Sequence, residues 1–277
     1  MLTFEYSPQS LSIFRSGQAK PLLTQNAATD KRPFIHPILA PDGVGELTEN
    51  EPPHHRWQHG LYVGLNDVNG YGFWTEGLTG NPRDGTFHPY PLEPPSISEN
   101  RASWQVVTDW KTPDGEVLLT EKQSWSCEVQ SDTFTLDLDW NLRCHSDLKF
   151  GQSPYGGLFL RMPWRPETHG AVLTSEGLNS TETAEGNRAC WIALSMPIPS
   201  RENGPAGFAF FEHPSNPEFP NPWRVDENFG IAPSRSIVGS WLLAEGESVS
   251  NRYRLLVFTG EINAEFVQAQ WSQFSDS

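Results

Sequence analysis

Three of the eight histidines fall within six residues, in Glu51-Pro52-Pro53-His54-His55-Arg56-Trp57-Gln58-His59-Gly60. His55 and His59 are four apart and would share a face if a helix started at Pro52-Pro53. A neutral imidazole takes or gives a proton near working pH, which makes His55 and His59 candidate acid and base. The same pair, with His36 or His213 as a distant third ligand, could instead hold a divalent metal. A third reading has them hydrogen-bonding loop backbone. Asp67, in the turn Asp67-Val68-Asn69-Gly70 ahead of Phe73-Trp74, could orient one of these rings.

A second cluster runs Phe211-Glu212-His213-Pro214-Ser215-Asn216-Pro217 and continues to Asn221-Pro222-Trp223-Arg224. It joins an aromatic face to planar amide and guanidinium donors, a mixture suited to a sugar: Trp57 or Trp223 to stack, Asn216 and Arg224 to bond hydroxyls. Glu212 could orient His213. A third cluster, Tyr155 to Trp164, sets Arg161 in a strand opposite Leu158 and Leu160, with Trp164 beyond it. No GxGxxG, P-loop, GxSxG or HExxH motif occurs, so the main nucleotide and hydrolase signatures are absent.

The elements that must position these residues read as strands. Phe134, Leu136, Leu138, Trp140 and Leu142 alternate with polar residues over Phe134–Cys144, a long half-buried strand with antiparallel neighbours. Arg101–Lys111 and Glu116–Glu128 form a hairpin about Pro113-Asp114-Gly115. Further strands are expected at Leu2–Tyr6, Ser10–Arg15, Leu61–Gly64, Gly157–Pro163, Ala189–Ser195, Ala206–Glu212, Ser240–Ala244 and Asn251–Thr259. The spacing predicts one helix, Ala264–Phe274, capped by Asn263 and apolar at Phe266, Val267, Trp271 and Phe274. Three long loops, Ala40–Gly60, Tyr71–Ile97 and Pro214–Ser236, carry most of the chemistry.

Composition agrees. The 277 residues include 24 Pro and 23 Gly, too many breakers for a helical bundle, while 11 Trp and 16 Phe supply a core. A net charge of −15 disfavours nucleic acid and anionic membrane surfaces as partners. No run approaches the roughly 18 apolar residues of a spanning helix, and the start lacks a basic stretch leading into an apolar core. Cys127, Cys144 and Cys190 make no closed disulfide set. A cytoplasmic protein with no membrane partner is therefore expected.

Several motifs in order carry a resemblance. They are Arg32-Pro33-Phe34-Ile35-His36-Pro37, His54-His55 with Trp57-Gln58-His59-Gly60-Leu61, Asp67-Val68-Asn69-Gly70, Tyr155-Gly156-Gly157-Leu158, Thr174-Ser175-Glu176-Gly177 and His213-Pro214 with Asn216-Pro217 and Pro222-Trp223-Arg224. Over residues 30–260 the chain resembles the bacterial PmoA-like family. The resemblance implies sugar catabolism and a galactose-mutarotase-like supersandwich. Where many members read DHxHHRG, this chain has Gln58 and His59 at positions that are often His and Arg.

The expectations are these. The fold is all-β, a single-domain antiparallel β-supersandwich over residues 1–277 with a C-terminal helix. The function is carbohydrate chemistry of mutarotase, epimerase or lyase type, on a small-molecule sugar. The catalytic candidates are His55, His59 and His213; the binding candidates are Trp57, Asp67, Arg161, Trp164, Asn216, Trp223 and Arg224. A metal-dependent enzyme with a divalent cation and a non-catalytic sugar-binding sandwich are the alternatives. The four groups His55, His59, Arg161 and His213 are expected to border one pocket, made locally positive by Arg161 and Arg224.

Overall fold

A computed structural model describes all of residues 1–277. Two large antiparallel sheets face one another, and only 7% of residues are helical. The chain is an antiparallel β-supersandwich closed by a C-terminal helix. One core of 54 buried apolar residues draws side chains from both sheets.

The nine-stranded sheet is the one the alternation announces. Thr133–Cys144 lies between Val117–Val129 and Ser248–Thr259, with Phe134, Leu136, Leu138, Trp140 and Leu142 turned into the core. Arg101–Lys111 pairs with Val117–Val129 about the expected turn, where Gly115 takes φ +90°. Trp191–Met196 and Ala206–Glu212 are buried along their whole length, because their second face is also covered. The cover is the helix Ala264–Ser275, whose first turn is capped by Asn263 accepting from the Phe266 amide at 3.0 Å. Val267 and Phe274 sink between Trp191, Phe211 and Phe258, whereas Phe266 stays exposed. The apolar stripe is thus narrower than the spacing suggests.

The eleven-stranded sheet is less legible. Beside the expected strands it contains Leu23–Asn26, Phe34–Ile38, Tyr71–Phe73, Leu148–Phe150, Trp223–Val225 and Gly230–Pro233. These are three to five residues long, several with Pro or Gly, and exist only because neighbours supply their hydrogen bonds. Two of the three long loops therefore contain strand. Ala40–Gly60 holds only single bridges, Leu39 to Glu46 and Asn50 to His59.

Along the middle of this sheet Leu61, Val63, Leu158, Leu160 and Ile231 point into the core. The alternate residues form a row across five neighbouring strands on the other face. Phe34 is opposite Tyr62, Tyr62 opposite Phe159, and Ala232 opposite Arg224. No second sheet covers that row; loops do.

Candidate functional site

The covered row is aromatic. Tyr62, Trp74, Phe159 and Ala232 form a small buried cluster of their own, edged by Phe34, Trp57 and Tyr155. Ring centroids are 5.4 Å apart for Tyr62 and Phe159, 5.5 Å for Tyr62 and Trp74, and 4.7 Å for Trp74 and Tyr155. These are offset or tilted contacts of the kind that aromatic quadrupoles favour.

Two buried arginines lie against this cluster, Arg32 over Tyr62 and Arg161 by Phe159. Arg32 places its guanidinium carbon 4.1 Å over the Tyr62 ring and donates from Nη1 to the Trp74 carbonyl and from Nη2 to the Trp57 carbonyl. It lies flat because position 64 is glycine: a Cβ there would sit 2.8 Å from Arg32 Nη1. Arg161 is fully buried and donates from Nε to Gln58 Oε1 at 2.6 Å, from Nη1 to the Asn228 carbonyl at 2.7 Å, and from both terminal nitrogens to Asp226. Gly230 makes its room, since a Cβ would meet Phe159 at 2.4 Å and Asp226 Oδ2 at 2.5 Å. A buried charge is tolerable only when paired and bonded in this way. Arg161 therefore meets the loop that carries the histidines, through Gln58, and spends its charge on Asp226.

That loop, Pro52–Gly60, is a run of turns and not the helix that the sequence allows. The His55 amide donates to the Pro52 carbonyl, the Gln58 amide to the His55 carbonyl and the Glu51 amide to the Gln58 carbonyl. The turns send the histidines to different places. His54 is exposed. His55 is half-buried, edge-on to Trp57 at 5.3 Å, and its Nδ1 is buried without a hydrogen-bond partner. Burial, then the nearby Arg161, His54 and Arg224 charges, lower its pKa against the opposing pull of Asp226, so the ring is neutral at pH 7. It borders an open cavity of about 620 Å³ together with Thr181, Glu185, Arg224, Asp226 and Asn228. Arg224 makes its one protein hydrogen bond from Nη1 to Glu185 Oε1 at 2.6 Å, leaving Nε and Nη2 without protein partners.

His59 faces the opposite way. It is buried, stacked on Phe34 at 4.7 Å, with Nδ1 2.8 Å from Asn50 Oδ1 and Nε2 2.8 Å from Glu76 Oε2. Burial works against ionisation of Glu76, but Arg32 and His59 outweigh it and hold the carboxyl below the usual range. His59 and Glu76 border a second cavity of about 460 Å³. His36 joins neither of these cavities; its Nδ1 is 2.9 Å from Thr48 Oγ1 beside a third hollow.

The remaining candidates lie elsewhere. His213 follows the last strand residue, Glu212, under the C-terminal helix on the other sheet. Its Nδ1 is 2.7 Å from Ser215 Oγ, its Nε2 is 2.9 Å from Arg252 Nη1, and it meets Phe274 edge-on. Asn216 is buried and clamps the Arg252 backbone at both its amide and carbonyl. Glu212 accepts from the Asn221 backbone and side chain, and burial raises its pKa. Trp223 is fully buried with Nε1 donating to the Ala189 carbonyl, so it offers no face to a ligand. Asp67 caps its own turn through the Gly70 amide at 2.7 Å. Trp164 packs half-buried against the main core. The single pocket expected for His55, His59, Arg161 and His213 is thus divided: only His55 and Arg161 share a neighbourhood, and Arg161 lies behind its wall. The histidines separate because a four-residue turn without helical pitch projects its side chains to both sides of the loop. No three His, Cys, Asp or Glu side chains come together in a metal-binding arrangement.

Arg32, Tyr62, Trp74, Glu76, Glu185 and Asp226 carry weight that the sequence reading left unassigned. Arg32 and Trp74 stand inside quoted motifs. The unbroken apolar run Leu61-Tyr62-Val63 signals a strand covered on both faces. Nothing local marks Glu76, Glu185 or Asp226.

A family model described as a family of unknown function, DUF6807, matches residues 16–272. This corrects the PmoA-like resemblance, to which no match points. No curated protein matches the sequence. Among solved structures, the chain is similar to a galactose mutarotase related enzyme from Lactobacillus acidophilus (11% identity, 95% of this chain and 100% of that one, TM-score 0.38). It is also similar to a putative aldose 1-epimerase from Escherichia coli K12 (14%, 94% and 99%, TM-score 0.41). A GH36 alpha-galactosidase from Geobacillus stearothermophilus matches over 94% of this chain but 41% of its own length (11%, TM-score 0.42). At these scores the likenesses bear on neither substrate nor mechanism. No helix is long and apolar enough to cross a membrane.

Proposed function

We propose that this chain, which belongs to the DUF6807 family, acts on a carbohydrate by single-base proton transfer at His55. The observation that carries the reading is the place of that ring, at the edge of an open cavity that also holds Arg224, with Nδ1 buried and Nε2 the nitrogen left for a substrate; its lowered pKa agrees with a base. A base must be deprotonated before it acts, and burial next to two arginines keeps this one so. Arg224 keeps two donor nitrogens free to oppose negative charge developing on a substrate oxygen. Trp57, half-exposed beside His55, supplies a face for the apolar side of a sugar ring.

One base facing one guanidinium suits removal of a proton from carbon next to a carbonyl, the step common to epimerisation and elimination. It suits mutarotation less, because ring opening needs an acid on the ring oxygen as well as a base on the anomeric hydroxyl, and His59 has both ring nitrogens occupied. The test is to incubate the protein with a panel of aldoses, ketoses and oxidised glycosides in D2O and follow carbon-bound deuterium by NMR. Exchange that falls at least about 10²-fold in His55→Ala supports the base role. Exchange at the wild-type rate in that variant overturns it.

A further inference from the structure

The two cavities flank the same loop and lie on the same face of the same sheet. One is bordered by His55 and Arg224; the other by Asn26, Phe34, His59, Glu76, Thr86 and Phe87. Phe34 and Arg224 are the ends of the cross-strand row, four strand spacings apart, which is about 19 Å at ~4.8 Å per spacing. No single pyranose ring spans that distance. Between them the loop presents exposed His54 and Arg56 and the half-exposed Trp57.

One polar group on the path lacks a protein partner. Trp57 Nε1, on the ridge, is buried and donates to nothing. Arg32, which is 2% exposed and borders the far cavity, is ion-paired from Nε to Glu76 Oε1 at 3.2 Å. Buried donors left unpaired are uncommon, and Trp57 Nε1 is one. Sugar hydroxyls and ring oxygens are acceptors that repeat along a chain. The charges of the far cavity nearly balance, with Asp30, Glu51 and Glu76 against Lys31 and Arg32, which favours an uncharged ligand over a polyanion.

We propose that the two cavities are end subsites for one elongated, uncharged oligosaccharide that crosses Trp57, so that the substrate is a glycan chain and not a free monosaccharide. This rests on the carbohydrate reading of the His55 cavity. Occupying both ends joins two weak contacts into one stronger one, so affinity must depend on chain length.

The experiment titrates the full chain, by calorimetry, with neutral gluco-, xylo- and galacto-oligosaccharide ladders of one to six units. The expected result on one ladder is an affinity that rises at least about tenfold between the monosaccharide and the longer members, then levels off. Thr86→Trp, a substitution at an exposed position on the far cavity, should remove that gain and leave binding of the monosaccharide unchanged. An affinity independent of length, or one that Thr86→Trp leaves unaltered for every member, overturns the two-ended subsite while leaving the His55 reading intact. If no ladder binds at all while oxidised or anionic sugars do, the uncharged-chain assignment is overturned. Binding by none of these sugars overturns the carbohydrate reading with it.

Discussion

A buried imidazole nitrogen with no partner costs stability, and burial of the ring disfavours its charged form. His55 has such a nitrogen and a pKa lowered first by burial and then by Arg161. A group depressed in this way acts as base above its own pKa, so the acid limb of the exchange rate should lie below the usual histidine value near 6.5. Arg224→Gln removes one of the charges that depress it and should move that limb to higher pH, read from a pH–rate profile. Arg161 calls for a different measurement, because it touches His55 only through Gln58 and through its field. Arg161→Met leaves Asp226 without its partner and should lower stability by about 3–5 kcal/mol in urea denaturation. A loss below about 1 kcal/mol would show that water already screens the pair. The types and places of these residues were readable: Arg161 on the face opposite Leu158 and Leu160 is where alternation puts it. Its bonding was not, because Asp226 and Asn228 lie 65 and 67 residues away in sequence.

Elements were legible in proportion to how much of their stability is local. Arg101–Lys111, Ala206–Glu212 and the capped C-terminal helix carry alternation, a turn or a cap in their own residues, and the structure has them where expected. Asn263→Ala should cost about 1 kcal/mol, measured by thermal or chemical unfolding, because it frees the Phe266 amide. The short strands Phe34–Ile38 and Gly230–Pro233 carry no such signal, yet they hold the site. Gly230→Ala is the sharper test of that dependence. Its new Cβ would press on Phe159, Asp226 and Arg161 at once, so it should impair His55-dependent exchange and lower stability together. Normal exchange in Gly230→Ala would mean that the Arg161–Asp226 pair does not position the loop.

Between the two sheets, the carboxyl of Glu121 is buried among indole rings. Glu121 sits at an inward position of Val117–Val129 and accepts from the Trp110 and Trp140 indoles at 3.1 and 2.7 Å and from Gln123 at 3.0 Å. Burial pushes its pKa up to about 7 against the pull of those donors. A carboxyl whose pKa rises on folding supports the fold fully below its unfolded value near 4.5 and loses that support as pH rises through about 7. Its share of stability should therefore fall by about 3 kcal/mol from acid to neutral pH. In Glu121→Gln that slope should be absent from the variant's own stability–pH curve, so the difference between wild type and variant carries it, although loss of an acceptor lowers stability at every pH. An unchanged slope would place the titration elsewhere.

The sequence by itself determined the all-β class, the long central strands, the turn at Pro113-Asp114-Gly115 and the final helix, because alternation, turn residues and caps act over a few neighbouring residues. It also singled out the loop of His54, His55 and His59. Only the tertiary structure decided which way each histidine faces, that His213 and Asn216 bond to Arg252 on the other sheet, and that Trp223 turns into the core from the site's own sheet. The physical reason is one of range. Turn geometry without helical pitch, pairing of buried charges across more than sixty residues, and the burial of a ring by a distant helix are all set by contacts that no local spacing encodes.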